Sequence, residues 1–275
     1  GEPFVIVNGI GMVGLYAAAF VARRHAEQVG GVAVVRRAAG MSGQFGNKGA
    51  VGIRFDFAKT SICAIAVHLE SGTGKAAEKE RLTQFRDLAT EMTFSYSGGA
   101  ARVETPVKKH DLVVIAGDFN FRLSLPTGAD SSKLSGILDG GWPDPSADGG
   151  AGCAGEHTAA STVFKAFKTY DEAMGEQSGS NGVRDLLREV DLMEGPIGFP
   201  ATYRMVIGER AYDPERVPAW CDRVFHSKVG VTRKRYCAMG GLTRSDHRPV
   251  GALLETSWLA MPGFVPPPRS AAAQQ

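Results

Sequence analysis

Four short runs, residues 32–35, 51–57, 62–69 and 112–116, constrain the fold most. Each is rich in β-branched and apolar side chains, is bounded by glycine or charge, and predicts a strand. Between the third and fourth, residues 76–92 place Leu82, Phe85, Leu88, Ala89 and Met92 at helical spacing with charges between them. A second helix is predicted over residues 183–193. Strands alternating with helices predict an α/β layered domain. At 275 residues the chain is long enough to bury a substantial core, as one large domain or two small ones.

Residues 9–14 spell G-x-G-x-x-G after an apolar run at 4–7, with a helix predicted to follow. A dinucleotide site needs that turn and then a second strand ending near an acidic residue for the ribose. Here the next strand ends in Arg36 and Arg37, which leaves only a reading with a phosphorylated ribose. In a chain with 35 glycines the pattern arises readily by chance, so it carries little alone.

With 31 basic and 29 acidic residues the net charge is +2, so anion recognition must be local rather than a property of the whole surface. Cys63, Cys153, Cys221 and Cys237 form no CxxC pair and are expected to be reduced, as in a cytosolic protein. No apolar stretch reaches the roughly 18–20 residues that span a bilayer, and no charged region precedes the first apolar run as in a signal peptide. Residues 126–182 are rich in Gly, Ala, Ser and Asp and predict a surface insertion. The segment 259–275 predicts a disordered tail.

Four stretches carry chemistry. In residues 113–123, VVIAGDFNFRL, an apolar strand runs into Asp118 and Asn120, which share one side of an extended chain. A carboxylate and an amide there can orient a water; an Asx turn is the plain alternative. In SDHRPV, Asp246 stands beside His247, whose tautomer a carboxylate can fix. His68 ends the third strand, where a satisfied core histidine is the plain alternative. Residues 216–224, RVPAWCDRV, combine an aromatic, a proline, Asp222 and two guanidiniums, and arginine's fork suits phosphate.

Together these stretches resemble the inositol polyphosphate 5-phosphatase catalytic domain of the DNase I-like superfamily. Its GD-x-N-[FY]-R and R-x-P-A-W-C-D-R blocks stand intact as GDFNFR (117–122) and RVPAWCDR (216–223). GQFGNKGAVGIRF (43–55), SICAIAVHL (61–69), ATYR (201–204) and SDHRPV follow in family order. The resemblance covers nearly all of residues 4–255 outside the insertion. Met12-Val-Gly-Leu15 also fits it, which makes the opening glycine pattern an imitation of a dinucleotide site.

The resemblance implies an α/β fold: a two-sheet β-sandwich flanked by helices, the DNase I-like four-layer sandwich, over residues 1–258. It implies Mg²⁺-dependent hydrolysis of the 5-phosphate of inositol phosphates or phosphoinositide lipids. Asp118 would position and deprotonate the water beside Asn120. His247, supported by Asp246 and Asp222, would contact the scissile phosphate, and His68 would stabilise its oxygens. Tyr203, Arg204 and Arg216 would grip the neighbouring 4-phosphate, with Lys48 facing the headgroup or membrane. The implied setting is cytoplasmic, with transient membrane contact and no nucleic acid; oligomeric state is left open.

Departures accompany it. Arg204 replaces the usual lysine of PTYK, Pro214 stands where a second lysine is usual, HLAA becomes His68-Leu-Glu-Ser71, and an arginine-asparagine pair becomes Arg81-Leu82. The family's strand with an asparagine and a glutamate, the principal Mg²⁺ ligand, has no match. The expectation is a domain lacking its N-terminal strands, with that ligand upstream of residue 1. A headgroup-binding module without catalysis and a nuclease of the same superfamily are the alternatives; the nuclease has no use for RVPAWCDR.

Overall fold

The computed structural model describes residues 1–39, 47–98, 101–125, 153–154, 167–175 and 182–256. The opening glycine pattern lies in a β-hairpin: β1 (Phe4–Met12) pairs antiparallel with β2 (Leu15–Ala22), so the helix expected after Gly14 is a strand. Gly14 turns the chain at φ 71°, and a Cβ on Gly9 would lie 2.5 Å from the Tyr16 hydroxyl. One glycine permits a turn and the other makes room for a cross-strand aromatic.

The chain continues through β3 (Val29–Ala38), β4 (Gly49–Phe57) and β5 (Thr60–His68) to helix α1 (Lys75–Glu91). Next come the hairpin β6 (Thr93–Gly98) and β7 (Ala101–Pro106), then β8 (Leu112–Asp118) and the short β9 (Cys153–Ala154). Helix α2 (Gly182–Glu189), β10 (Leu192–Glu194), β11 (Asp222–Ser227), β12 (Val231–Met239) and β13 (Val250–Thr256) complete the order. The four predicted strands are all present. The helix expected to reach residue 193 stops at Glu189 instead. Asp191 sits at φ 53°, a left-handed conformation that ends a helix, and the next residues pair with β11.

The central sheet has the order β10-β11-β8-β5-β4-β3. Its period of two separates two cores. Val113 and Ile115 of β8 pack with Phe85 and Leu88 of α1 and Leu186 of α2. Val114 and Ala116 face a second core with Phe199, Trp220 and Tyr236. On that second face, Val51 and Ile53 of β4 meet Ile10 of β1. Each buried Phe or Leu contributes about 1.5–3 kcal/mol relative to exposure. The result is a mixed α/β sandwich, with helices on one face of the central sheet and the β1–β2 and β13-β12-β9 sheets on the other. Among the described residues no α-helix covers the outer side of the smaller sheets, where Phe4, Ile6, Tyr16 and Phe20 are exposed. None of these helices is long and apolar enough to cross a membrane.

Two expectations are corrected here. Residues 167–175, inside the predicted surface insertion, are built into the fold: Asp171, Glu172 and Ala173 are buried, and Glu172 forms a two-pronged pair with Arg81 at 2.9 and 2.6 Å. Buried carboxylates need such partners, and the sequence places the partners about 90 residues away. Cys237 is disulfide-bonded, whereas Cys63 and Cys221 are free and buried. The β9–β12 pairing lays two cysteine-bearing strands side by side, with Met239 opposite Cys153. The rest of the predicted insertion and the 259–275 tail lie outside the described residues.

Candidate active site

Strand register assembles the site. β5 and β8 run parallel with His68 opposite Asp118, and β8 and β11 run antiparallel with Asp222 opposite Asp118. Gly49, next to Lys48, stands opposite His68 on β4. Neighbouring strands lie about 4.8 Å apart, so one row across four strands carries Gly49, His68, Asp118 and Asp222, with Lys48 at its edge just before β4. Gly117 is obligatory below this row: at φ 138°, a Cβ there would lie 2.2 Å from the Val67 carbonyl oxygen.

Loops complete the row. Tyr203 and Ala219 exchange backbone hydrogen bonds at 3.1 and 2.8 Å, tying ATYR to PAWC. Met205 N–H donates to Asp246 O and Arg248 N–H to Thr202 O, both at 2.9 Å, tying ATYR to SDHRPV. His247 is thereby brought to the row, its Nδ1 2.9 Å from Asp222 Oδ2 and its Nε2 4.0 Å from Asp118 Oδ2. Thr202 Oγ1 donates to the same Asp222 oxygen at 2.6 Å.

Asn120 reaches Asp118 by a route the extended-chain argument did not foresee. It stands at φ 55°, outside the strand. Its N–H donates to Asp118 Oδ1 at 2.8 Å, and its Nδ2 donates to Leu69 O at 3.0 Å and Asp118 Oδ2 at 3.3 Å. Asp246 does not support His247 through a hydrogen bond. Its Oδ2 lies 3.4 Å from Arg204 Nε, and Arg204 Nη1 lies 3.4 Å from Asp213 Oδ2. Adjacent residues on a loop point apart, and the carboxylate that holds His247 is 25 positions away. The Tyr203 ring packs 4.7 Å from the His247 ring at a 45° tilt. Arg216 is exposed on the loop after Asp213. The other guanidinium of that block, Arg223, is wholly buried, clamped by Glu194 at 2.6 and 2.5 Å and by Asp171 at 3.1 and 3.0 Å. It braces the fold and offers nothing to an anion. Arg122, the arginine that closes GDFNFR and was assigned no role from sequence, lies with its Cζ 4.4 Å over the Tyr203 ring.

The electrostatics separate the two histidines. Burial, then the Asp222 charge, pushes Asp118 up to about 6, against the opposing pull of His247. Burial would lower His247, but the hydrogen bond and charge of Asp222 outweigh it and leave the pKa raised. Burial, then Lys48 and His247, drives His68 down to about 4. His68 is therefore neutral at pH 7, and Lys48 Nζ, 2.7 Å away, donates to its Nε2. Replacing Asp222 by asparagine removes the charge that sustains the His247 imidazolium. The His247 ring-proton NMR titration should shift to lower pH in Asp222→Asn, and an unchanged midpoint would contradict this geometry.

Asp118, Asp222 and His247 offer ligand atoms within 4.8 Å of one another. Two carboxylates and one imidazole suit a hard divalent cation, which keeps several waters or takes phosphate oxygens to complete its shell. The donor set fits such an ion.

The sequence pattern of the Endonuclease/Exonuclease/phosphatase family 2 matches residues 1–143 and 154–253, and the chain belongs to that family. Its relatives are more particular. It is 27% identical over 253 residues to the type II inositol 1,4,5-trisphosphate 5-phosphatase of Mus musculus, covering 90% of this chain and 22% of that protein. It is 28% identical to the type I inositol polyphosphate 5-phosphatase 2 of Arabidopsis thaliana, over 92% of this chain and 35% of the relative. Among solved structures, the inositol polyphosphate 5-phosphatase domain of SPsynaptojanin, crystallised with inositol (1,4)-bisphosphate and calcium, superposes with TM-score 0.65 at 26% identity. That match covers 93% of this chain and 65% of that domain. A Cimex nitrophorin shares the fold at TM-score 0.56 with 12% identity, so the fold alone does not fix the chemistry. The resemblance read from GDFNFR and RVPAWCDR is borne out. The chain spans between about a fifth and two thirds of the length of these three phosphatase relatives.

Proposed function

We propose that this chain hydrolyses the 5-phosphate of inositol polyphosphates and of phosphoinositide lipids presented at a membrane surface. The observation that carries the reading is the single register row of His68, Asp118 and Asp222, closed by the His247–Asp222 hydrogen bond. The named relatives, each an inositol 5-phosphatase, support it.

Asp118 and Asp222 would hold a divalent cation, magnesium in this reading, which would supply charge neutralisation for phosphoryl transfer. Asp118, steadied by Asn120, takes a proton from the attacking water. The water oxygen bonds to phosphorus, the bond to the inositol oxygen breaks, and the inositol leaves as an alkoxide that takes a proton from solvent water. His247, whose protonated form Asp222 favours, and Lys48, held against neutral His68, donate to the phosphoryl oxygens as their charge develops. Tyr203, Arg204 and Arg216 grip the 4-phosphate.

Phosphate release tests this, from soluble inositol 1,4,5-trisphosphate and from vesicles carrying phosphatidylinositol 4,5-bisphosphate, with magnesium titrated. Release that depends on magnesium and disappears in Asp118→Ala is expected. Headgroup binding with no release above that control would replace the enzyme by a binding module. Release from the soluble substrate alone would remove the lipid from the proposal.

A further inference from the structure

Arg122 closes the GDFNFR block, yet its guanidinium turns back along its own chain. Nε donates to the Asn120 carbonyl oxygen at 3.1 Å and Nη2 to the Asn120 side-chain Oδ1 at 2.5 Å. Its Cζ lies 4.4 Å over the Tyr203 ring, which in turn packs at 4.7 Å and a 45° tilt against His247. The Asn120 amide has two ends, and Arg122 occupies the oxygen end. The nitrogen end is left to donate to Leu69 O and the Asp118 carboxylate. A flipped amide would aim its oxygen at that carboxylate and its N–H groups at a guanidinium, two repulsive contacts in place of two attractive ones.

From this geometry we propose that Arg122 is a positioning residue. It sets the sense of the Asn120 amide against Asp118 and seats Tyr203 against His247, so that the GDFNFR and ATYR segments act as one unit. Only arginine can do both, because its planar fork spans two oxygens while its face stacks on an aromatic; lysine can satisfy one oxygen and no stack. The effect on turnover rests on the phosphatase reading, whereas the effect on the Asn120 amide does not.

The test uses the full chain with Arg122→Met and Arg122→Lys, the lysine variant keeping charge and length if methionine compromises folding. In Arg122→Met, kcat should fall about 10- to 100-fold while KM moves less than about threefold, the mark of a group that acts on geometry in the transition state. In Arg122→Ala, added guanidinium ion should restore part of the lost kcat. Pairing Arg122→Met with Asn120→Ala should cost no more than the worse single change, because the two residues act as a unit. Independently of turnover, the Asn120 side-chain NH₂ signals, assigned by their loss in Asn120→Asp, should move or broaden in Arg122→Met. Asn120 signals identical to wild type overturn the proposal, as does a kcat within about twofold of wild type or a double variant that is fully additive. If the wild-type chain releases no phosphate, the phosphatase reading fails while the NMR comparison still decides the role of Arg122.

Discussion

In Asp118→Asn, phosphate release should drop about a hundred- to ten-thousandfold while the protein becomes more stable at neutral pH. The asparagine keeps an oxygen for the Asn120 N–H but has no charge and cannot accept the proton from water; loss of a general base typically costs 10²–10⁴-fold. The gain in stability follows from the position of the carboxyl. Its folded pKa, about 6, lies above the ordinary 3.8, because burial and Asp222 oppose its ionisation. A raised pKa means the folded state prefers the protonated form. The stability this contributes is complete below pH 4 and is lost as pH rises through 6. The variant does not ionise there, so the difference between variant and wild type should open between pH 4 and 6 and then level off. It should reach on the order of 1–3 kcal/mol. Thermal unfolding of both proteins across that range, with chelator present, measures it. A variant that loses stability at pH 7 would mean that Asp118 is held by attractive contacts and not kept at a cost.

The second large effect lies in the bracing beneath the site. Arg223 is fully buried, and its guanidinium is held by Glu194 and Asp171, with Tyr236 Oη donating to Glu194 at 2.7 Å. Arg223→Met would leave two buried carboxylates without a cation, which costs about 3–5 kcal/mol. That is a large part of the 5–15 kcal/mol that holds a typical domain together. We expect little soluble folded protein from the single change. Combining it with Asp171→Asn and Glu194→Gln should recover folding, because the stranded charges go with the arginine. A single variant melting within about 2 °C of wild type would show that this network contributes little.

The comparison with sequence divides along the same line. His68 and Asp118 were legible because each ends a strand whose apolar run can be seen, whereas Asp222, the first residue of β11, was marked by the specific RVPAWCDR block alone. Partnerships between distant segments were not legible. Asp246 is next to His247 in sequence, but the partner in space is Asp222. Arg223 reads as a phosphate ligand by composition, and only the folded chain brings Asp171 and Glu194 to it. The same holds for Glu172 with Arg81, where a glycine-rich and acidic composition suggested surface for a segment that is buried. Arg122 carries no periodic signal at all. Its significance depends on the left-handed turn at Asn120, which places two oxygens of one residue within reach of one guanidinium. The glycines at 9, 11 and 14 fit a hairpin as well as a nucleotide loop, and only pairing partners decide between them.

Because His68, Asp118 and Asp222 owe their meeting to register, the centre has no graded way to loosen. A strand shifted by one residue turns every side chain to the opposite face. Deleting a single residue within β5, β8 or β11 would thus send the reacting group into one of the two cores and lift an apolar one in its place. Lengthening the turns between strands leaves the row intact. Tolerance to insertions and deletions should therefore be quantised along this chain: permissive at the turns, and all-or-none within three particular strands.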